Sequence, residues 1–284
     1  MNLAIVTDST SDLSADELKQ LRVERVPLYV HFKGETHKDW IDITPRDIIE
    51  GVSAGADLPT TSQPSPEDFA AVYRRVAEEG ADHVLVVTIS ADLSGTFQSA
   101  KLASDGVPVP VTVFDGRGAS LGHGEMVRAA AALRDRGASL QDIVAALERI
   151  RDTNFVIFTV GTLDYLAKGG RIGRARALLG GLLNIKPLLT LVDGKIEPVT
   201  RARGLNKAQQ EMVERFARYV EGASGRVIAN LIHIQDPSAA KGLQEAIAAA
   251  GVQYELRGIA EIGAVIGSHV GPGTFGIYAH EDVL

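Results

Sequence analysis

Short apolar runs that alternate with helical patterns constrain the fold of this chain more than any other feature. Four such runs, rich in β-branched residues, occupy 3–6, 83–88, 109–114 and 154–160. Continuous apolarity over so few residues is typical of strands buried on both faces, as in a parallel sheet covered by helices. The intervening helices begin at recognisable caps, with Glu17 three residues after Ser14, and Pro directly after Thr44 and Ser65. The pattern predicts an N-terminal Rossmann-like α/β domain with a parallel sheet.

The second half of the chain follows a different pattern. After Gly161, helical patterns at 162–168 and 174–183 lead into two strands around Asp193-Gly194, a hairpin signal, and then helices and strands alternate again. We therefore expect two domains, residues 1–160 and residues 161–284, the second being α/β with a mixed sheet. Within the first, 26–43 places two strand-like runs around Gly34, which predicts an inserted β-hairpin.

Composition and charge exclude several classes of function. The 284 residues include no cysteine, which rules out disulfides, thiolate metal sites and cysteine nucleophiles. A formal net charge of −7 and 5% aromatic residues disfavour nucleic-acid binding. The N-terminus lacks the basic region of a secretory signal, and the most apolar stretch is interrupted by glycine, asparagine, lysine and proline. We expect a cytoplasmic protein with no membrane span.

Hydroxyl-bearing residues are concentrated just after predicted strands. They occupy 7–11, 60–65 and 90–96. Ligands of open parallel sheets bind beyond the carboxyl ends of the strands, so we expect these three segments to form one polar site. Ser94-Gly95, at a predicted helix start, offers a hydroxyl and backbone N–H groups that suit a carboxylate or phosphate. Ordinary helix capping by Ser and Thr is the alternative for each residue taken singly.

The glycine patterns do not match nucleotide-binding motifs. Gly116, Gly118 and Gly122 miss the G-x-G-x-x-G spacing by one residue, and Gly258 with Gly263 lacks the Lys-Ser/Thr of a P-loop. The seven histidines show no H-E-x-x-H pattern, so we expect neither a metal nor a cofactor. His269 stands apart, because a glycine-rich stretch at 267–273 reads as a loop that would bring its imidazole close to a ligand. A hydrogen bond from that imidazole to a backbone carbonyl is the alternative.

One pattern suggests an enzyme. The segment 118–122 is a literal G-x-S-x-G after a strand and before a helix, as at the nucleophile elbow of a serine hydrolase. Ser120 would be the nucleophile, with Asp193 or Asp236 and His269 as partners. Against this, Gly116 lengthens the turn, and no upstream segment resembles an oxyanion loop.

Basic residues form two clusters on this acidic chain. One contains Arg171, Arg174 and Arg176, and the other contains Arg201, Arg203 and Lys207. Either cluster could bind an anion or a partner protein, and a solvated surface is the alternative.

Several motifs in order resemble the DegV family of bacterial lipid-binding proteins over nearly the whole chain. They are TDSTSDL at 7–13, TTSQPS at 60–65, SADLSGTFQSA at 90–100, LDYLAKGGRIG at 163–173, LLNIKPLL at 182–189 and IGSHVGPGTFG at 266–276. The resemblance implies two α/β domains with one long-chain fatty acid, such as palmitate, between them and no enzymatic activity. A fatty carboxylate needs donors and its tail needs a dry channel, which agrees with that assignment.

The resemblance also implies roles for particular residues. Thr61 and Ser94 resemble the hydroxyls that hold the carboxyl group, with His269 nearby. Some family members present the acyl group to a fatty acid kinase, and we expect Arg201 and Arg203 to lie on the rim that docks such a partner. Apolar residues of the second domain are expected to line the acyl channel or to belong to its core: Leu178, Leu179, Leu182, Leu183 and Ile185.

Overall fold

The structure is a computed structural model that describes residues 2–179 and 185–284. Its strands are β1 (Leu3–Asp8), β2 (Val23–Val26), β3 (Tyr29–Phe32), β4 (Glu35–Lys38), β5 (Thr60–Ser62), β6 (His83–Thr88), β7 (Val111–Asp115), β8 (Phe155–Thr159), β9 (Ile185–Val192), β10 (Lys195–Arg203), β11 (Val227–His233), β12 (Glu255–Glu261) and β13 (Phe275–Glu281). Its α-helices are α1 (Ala15–Leu21), α2 (Pro45–Ser53), α3 (Pro66–Glu78), α4 (Thr96–Leu102), α5 (Leu121–Asp135), α6 (Leu140–Thr153), α7 (Asp164–Lys168), α8 (Leu205–Gly222), α9 (Pro237–Ala249) and α10 (Ala264–Val270). Short 3-10 helices span Ser9–Ser11 and Gly173–Leu178.

The N-terminal sheet is parallel, as the sequence predicts. Its order is β2-β1-β6-β7. Neighbouring residues of β1 enter different cores: Ile5 packs with residues of α1, α5 and α6, and Val6 packs with residues of α3 and α4. Both side chains are fully buried, which explains why this strand is apolar without alternation.

A small antiparallel sheet, in the order β4-β3-β5, is inserted beside the parallel one. Lys33 and Gly34 make the turn between β3 and β4, both with positive φ. The second strand lies before the run at 40–43 expected to form it. In β5, Thr61 lies opposite Val30 of β3, so the hairpin positions the TTSQPS segment.

The second sheet is mixed and six-stranded, in the order β10-β9-β8-β13-β11-β12. One expectation was wrong: the strand predicted at 154–160 does not belong to the N-terminal sheet, because β8 pairs antiparallel with β9 and β13. A strand that is apolar on both faces carries no signal of which sheet it joins. The change of sheet thus falls before Phe155, and the division into domains at residue 160 stays a prediction.

The C-terminal glycine-rich stretch is helical rather than a loop. Gly263 precedes α10 with extended backbone, and Gly271 ends it with a φ of 70°. His269 therefore lies in the last turn of a helix, where its direction is fixed by the backbone. The helix predicted at 174–183 also differs from the structure. Residues 173–178 form a 3-10 helix, and the end of the predicted helix lies outside the described residues.

Apolar packing between the two sheets forms one continuous cluster, which includes Leu85 of β6, Val127 of α5 and Leu189 of β9. None of the helices in the described ranges is long and apolar enough to cross a membrane. The carboxyl ends of the parallel strands and one face of the mixed sheet border this cluster, and the candidate site lies there.

Candidate functional site

A cavity lies between the parallel sheet, the small sheet and the mixed sheet. Counted as the space open to the centre of a water molecule, its volume is about 100 Å³, a count that leaves out the layer next to every wall. Apolar side chains form most of the walls: Leu28, Ile89, Leu93, Val156, Phe158, Leu166, Leu191, Ile196, Ile232, Ile262, Val265, Ile266 and Val270. Four polar residues in one part of the lining, Thr61, Ser94, Arg171 and His269, are called the polar patch below.

Thr61 and His269 meet although they are far apart in sequence. The Thr61 Oγ1 and His269 Nε2 atoms lie 2.8 Å apart. Strand β5 brings Thr61 to this position, and α10 packs against β3 and β5. Gly169 makes room for the ring, because a side chain there would collide with His269 Nδ1.

His269 is neutral at physiological pH. Burial, together with the nearby positive charge of Arg171, lowers its pKa to about 4. If the neutral ring carries its proton on Nε2, His269 donates to Thr61 Oγ1 and leaves the Thr61 proton for a ligand; if it carries the proton on Nδ1, the Thr61 hydroxyl donates to Nε2. Nδ1 is buried and has no hydrogen-bond partner among the described residues. The pair therefore holds unused hydrogen-bonding capacity.

Ser94 reaches the cavity from the loop between β6 and α4. Its Oγ lies 2.9 Å from Thr96 Oγ1, and Gly95, not Ser94, directly precedes the helix. Gly95 lies against Gln63, since a side chain there would come within 2.7 Å of the Gln63 amide nitrogen. Thr61, on strand β5, and Ser94, on the loop after β6, thus line the same cavity.

Arg171 is a member of the polar patch that the sequence did not single out from its cluster. Its Nε donates to the Leu93 carbonyl at 3.0 Å and its Nη1 to the Gly169 carbonyl at 2.8 Å. The side chain is exposed, whereas Thr61, Ser94 and His269 are half-buried. The patch therefore lies toward solvent. The signal that could have found Arg171 is its position directly after Gly169-Gly170.

The first hydroxyl-rich segment does not line the cavity, contrary to expectation. Residues 7–11 are fully buried, and Ser9 Oγ donates to Asp39 Oδ2 at 2.7 Å. Asp39 Oδ1 accepts from the backbone N–H groups of Ala264 and Val265 at 3.1 and 3.3 Å. The segment therefore supports the site from behind: through Asp39 it holds the first turn of α10, and Asp8 and Ser9 accept from the backbone N–H groups of the cavity-lining residues Ile89 and Leu28.

A second buried carboxylate, Asp12, completes this arrangement. Its Oδ1 accepts from Trp40 Nε1 at 3.1 Å and from Gly263 N at 3.0 Å, and its Oδ2 lies 2.5 Å from Ser120 Oγ. Burial raises the pKa of Asp12 to about 8 and that of Asp39 to about 6. We call Asp12 and Asp39 the acid pair.

Ser120 does not meet the partners of a hydrolase triad. Its φ of 55° is unusual for a non-glycine residue, as at a nucleophile elbow, but its hydroxyl bonds Asp12. His269 bonds Thr61, Asp193 is an exposed residue at a hairpin tip, and Asp236 caps α9. Within residues 2–179 and 185–284, no histidine bonds Ser120, and no three His, Asp or Glu side chains are grouped as metal ligands.

The remaining predicted residues that fall within the described ranges do not line the cavity. Arg201 and Arg203 are exposed on β10, and Arg201 Nη2 donates to the Ala177 carbonyl at 2.8 Å. Three predicted lining residues, Leu178, Leu179 and Ile185, are not in the cavity wall. Two more, Leu182 and Leu183, lie outside the described residues.

Comparisons with known proteins agree with this architecture. The family model of the uncharacterised DegV proteins matches residues 2–282. A fatty-acid-binding DegV protein of Thermus thermophilus is 49% identical, with a TM-score of 0.95 over 99% of this chain and 100% of that one. A stearic acid-binding protein of Eubacterium ventriosum is 28% identical, with a TM-score of 0.90 over 98% of each chain. A fatty acid-binding protein of Thermotoga maritima is 35% identical over 97% of this chain and 96% of its own length. The chain belongs to the DegV family.

Proposed function

We propose that this chain is a non-enzymatic cytoplasmic protein that binds one long-chain fatty acid, such as palmitate. The proposal depends on one observation: the Thr61–His269 pair and Ser94 line a cavity whose walls are mostly apolar side chains. The relatives described above as fatty-acid-binding proteins support it.

The carboxyl group would lie at the polar patch. A fatty carboxylate is ionised at neutral pH and must be given hydrogen-bond donors when it leaves water. Thr61 and Ser94 supply hydroxyl donors, and Arg171 supplies a positive charge at the solvent side of the patch. His269 would act through Thr61, by holding its hydroxyl proton toward the ligand.

The acyl chain would supply most of the affinity. At ~0.8 kcal/mol per buried methylene, a chain of about fourteen methylenes gains roughly 11 kcal/mol before the costs of ordering and association are subtracted. The polar patch would then fix which end of the molecule faces solvent. Affinity and orientation are therefore assigned to different parts of the cavity.

Titration calorimetry with palmitate and with its methyl ester tests this division on lipid-free protein. We expect palmitate to bind one to one, and the ester, which has the same tail but no charge, to bind at least about tenfold more weakly. Equal affinity for the two would show that the polar patch does not hold the carboxylate. If neither palmitate nor its methyl ester bound, the proposed function would be rejected.

A serine hydrolase remains the alternative, because Ser120 has the strained backbone of a nucleophile elbow and lines the cavity. Labelling with a fluorophosphonate separates the two functions. We expect no adduct, since Ser120 lacks a histidine base. An adduct that disappears in Ser120→Ala would favour the hydrolase.

We also propose that the bound acyl group is presented to a fatty acid kinase, with Arg201 and Arg203 on the docking surface. Both residues are exposed and lie outside the cavity lining, which suits a role in recognising a partner rather than the lipid. Exposed charges act mainly on the rate of encounter with a partner.

A further inference from the structure

We propose that Val156 and Leu191 form the wall that limits the length of the acyl chain. The inference rests on the proposed function and concerns the end of the cavity remote from the polar patch. It assigns chain-length selectivity to two residues of the mixed sheet.

Strand register places these residues at the same end of the β8–β9 ladder. Leu189 pairs with Phe158, and both Leu191, two residues further along β9, and Val156, two residues before Phe158 on the antiparallel β8, lie just beyond the end of that ladder. Leu191 in turn pairs with Ile196 of β10. All three side chains line the cavity, and all are apolar.

The polar patch lies beyond the opposite end of β8. The chain leaves β8 at Thr159 and continues directly into α7 and Arg171. Gly161, just after β8, packs against the Pro272 carbonyl beyond the C-terminus of α10, the helix whose last turn carries His269. An acyl chain with its carboxyl group at the patch therefore runs along β8 toward Val156.

The sheet is open behind this wall. The β8–β9 ladder includes only two residue pairs, at Phe158 and Thr159. Beyond these two pairs a side chain replaces the backbone hydrogen bonds of the ladder: Thr190 Oγ1 donates to the Val156 carbonyl at 2.7 Å. A surface pocket of about 310 Å³ begins there, and it shares Val156 and Leu191 with the cavity. Its other lining residues include Phe155, Val199, Arg215 and Arg218.

Val156 and Leu191 are thus the two residues that line both the cavity and the surface pocket. Shortening either one should join the two spaces. Each further buried methylene is worth about fourfold in affinity.

A competition experiment tests the wall. Lipid-free wild type, Leu191→Ala, Val156→Ala and the control Ile232→Ala are each equilibrated with an equimolar mixture of saturated C14 to C22 acids, and the bound acids are measured by mass spectrometry. Ile232 is an aliphatic residue of the same cavity that does not line the surface pocket. We expect the bound ratio of C20 to C16 to rise at least about fivefold in Leu191→Ala and Val156→Ala and less than about twofold in Ile232→Ala.

Unchanged chain-length profiles in both wall variants would overturn the inference, as would an equal or larger rise in Ile232→Ala. If the alanine variants do not fold, Val156→Leu tests the wall by extending it. This variant should shift the bound acids toward shorter chains, and an unchanged chain-length profile would overturn the inference. Wild type that binds none of the acids would reject the proposed function itself, so the two failures are distinct.

Discussion

The polar patch and the acid pair are both polar clusters in an apolar surrounding, but they differ in how completely their hydrogen bonds are formed. In the acid pair, all four carboxylate oxygens have partners at 2.5–3.3 Å, from Ser9, Ser120, Trp40 and the backbone of 263–265. In the polar patch, the Thr61 hydroxyl has the His269 ring as its partner and, when it accepts from Nε2, keeps its own proton for a carboxylate ligand.

This difference separates scaffold from site. Buried polar groups that are fully paired hold elements together, whereas buried groups with spare capacity carry a cost that a ligand can remove. Helix α10 joins the two clusters, because the acid pair binds its N-terminal backbone and His269 lies in its last turn. We therefore expect changes in the acid pair to affect stability, and changes in the patch to affect binding.

The largest effect is expected from Asp39→Ala. This change leaves the Ala264 and Val265 N–H groups and the Ser9 hydroxyl without their acceptor, and we expect a loss of about 2–4 kcal/mol in the free energy of unfolding. Urea denaturation measures it. Asp39→Asn is the matched control, since its amide oxygen can still accept both N–H groups, and it should lose less. Equal losses would show that acceptor geometry is not what matters at this position.

Thr61→Ala and Ser94→Ala, in the polar patch, should affect ligand binding rather than stability. We expect each to weaken palmitate binding by roughly 1–3 kcal/mol while leaving the unfolding free energy nearly unchanged. The double variant should lose less than the sum of the two if both hydroxyls bind one carboxylate. Ser53→Ala, at an exposed hydroxyl residue outside the cavity lining, is the control. Wild-type affinity in both single variants, by calorimetry, would remove them from the site.

The acid pair also predicts how stability depends on pH. The folded-state pKa of Asp12 is raised from 3.8 to about 8, so the folded protein holds this proton more tightly than the unfolded chain does. Stability from this group is therefore full below about pH 4 and falls as pH rises toward 8. We expect Asp12→Asn, which stays neutral, to lose less stability than wild type between pH 5 and pH 8.5, by up to about 4 kcal/mol. Parallel pH profiles of the two proteins would contradict the raised pKa.

The smallest effect on lipid binding is expected from Arg201→Glu combined with Arg203→Glu. Both side chains are outside the cavity, so palmitate affinity should stay within about twofold of wild type. Phosphorylation of the bound acid by a cognate kinase should slow, most clearly at low ionic strength, where steering by charge is strongest. An unchanged rate under that condition would remove these residues from the docking surface.

Local sequence patterns were sufficient for three strands of the parallel sheet, β1, β6 and β7, and for the starts of several helices. The caps at Ser14, Thr44 and Ser65 begin helices in the structure, because capping depends on residues within one turn. Ser94 follows the parallel strand β6, where the rule places ligands. Thr61 lies on β5 of the small antiparallel sheet, and it was the resemblance to the DegV family that singled it out.

Features that depend on contacts between residues distant in sequence could not be predicted from local patterns. The membership of β8 in the mixed sheet, the buried role of residues 7–11 and the cavity-lining position of Arg171 all depend on partners distant in sequence. The helix at 264–270 was missed for a local reason. Gly263, Gly267 and Gly271 occur at a spacing that favours a loop, but in the structure Gly263 and Gly271 flank the helix and Gly267 lies within it.

Native mass spectrometry of protein purified without added lipid tests the central claim most directly. Because the cavity is apolar and has its polar groups at one place, it should fill from the lipids of the host cell. We predict a main species heavier than the chain by the mass of one long-chain fatty acid, which is lost on delipidation and regained with palmitate. A species at the mass of the bare chain that takes up no palmitate would contradict the account.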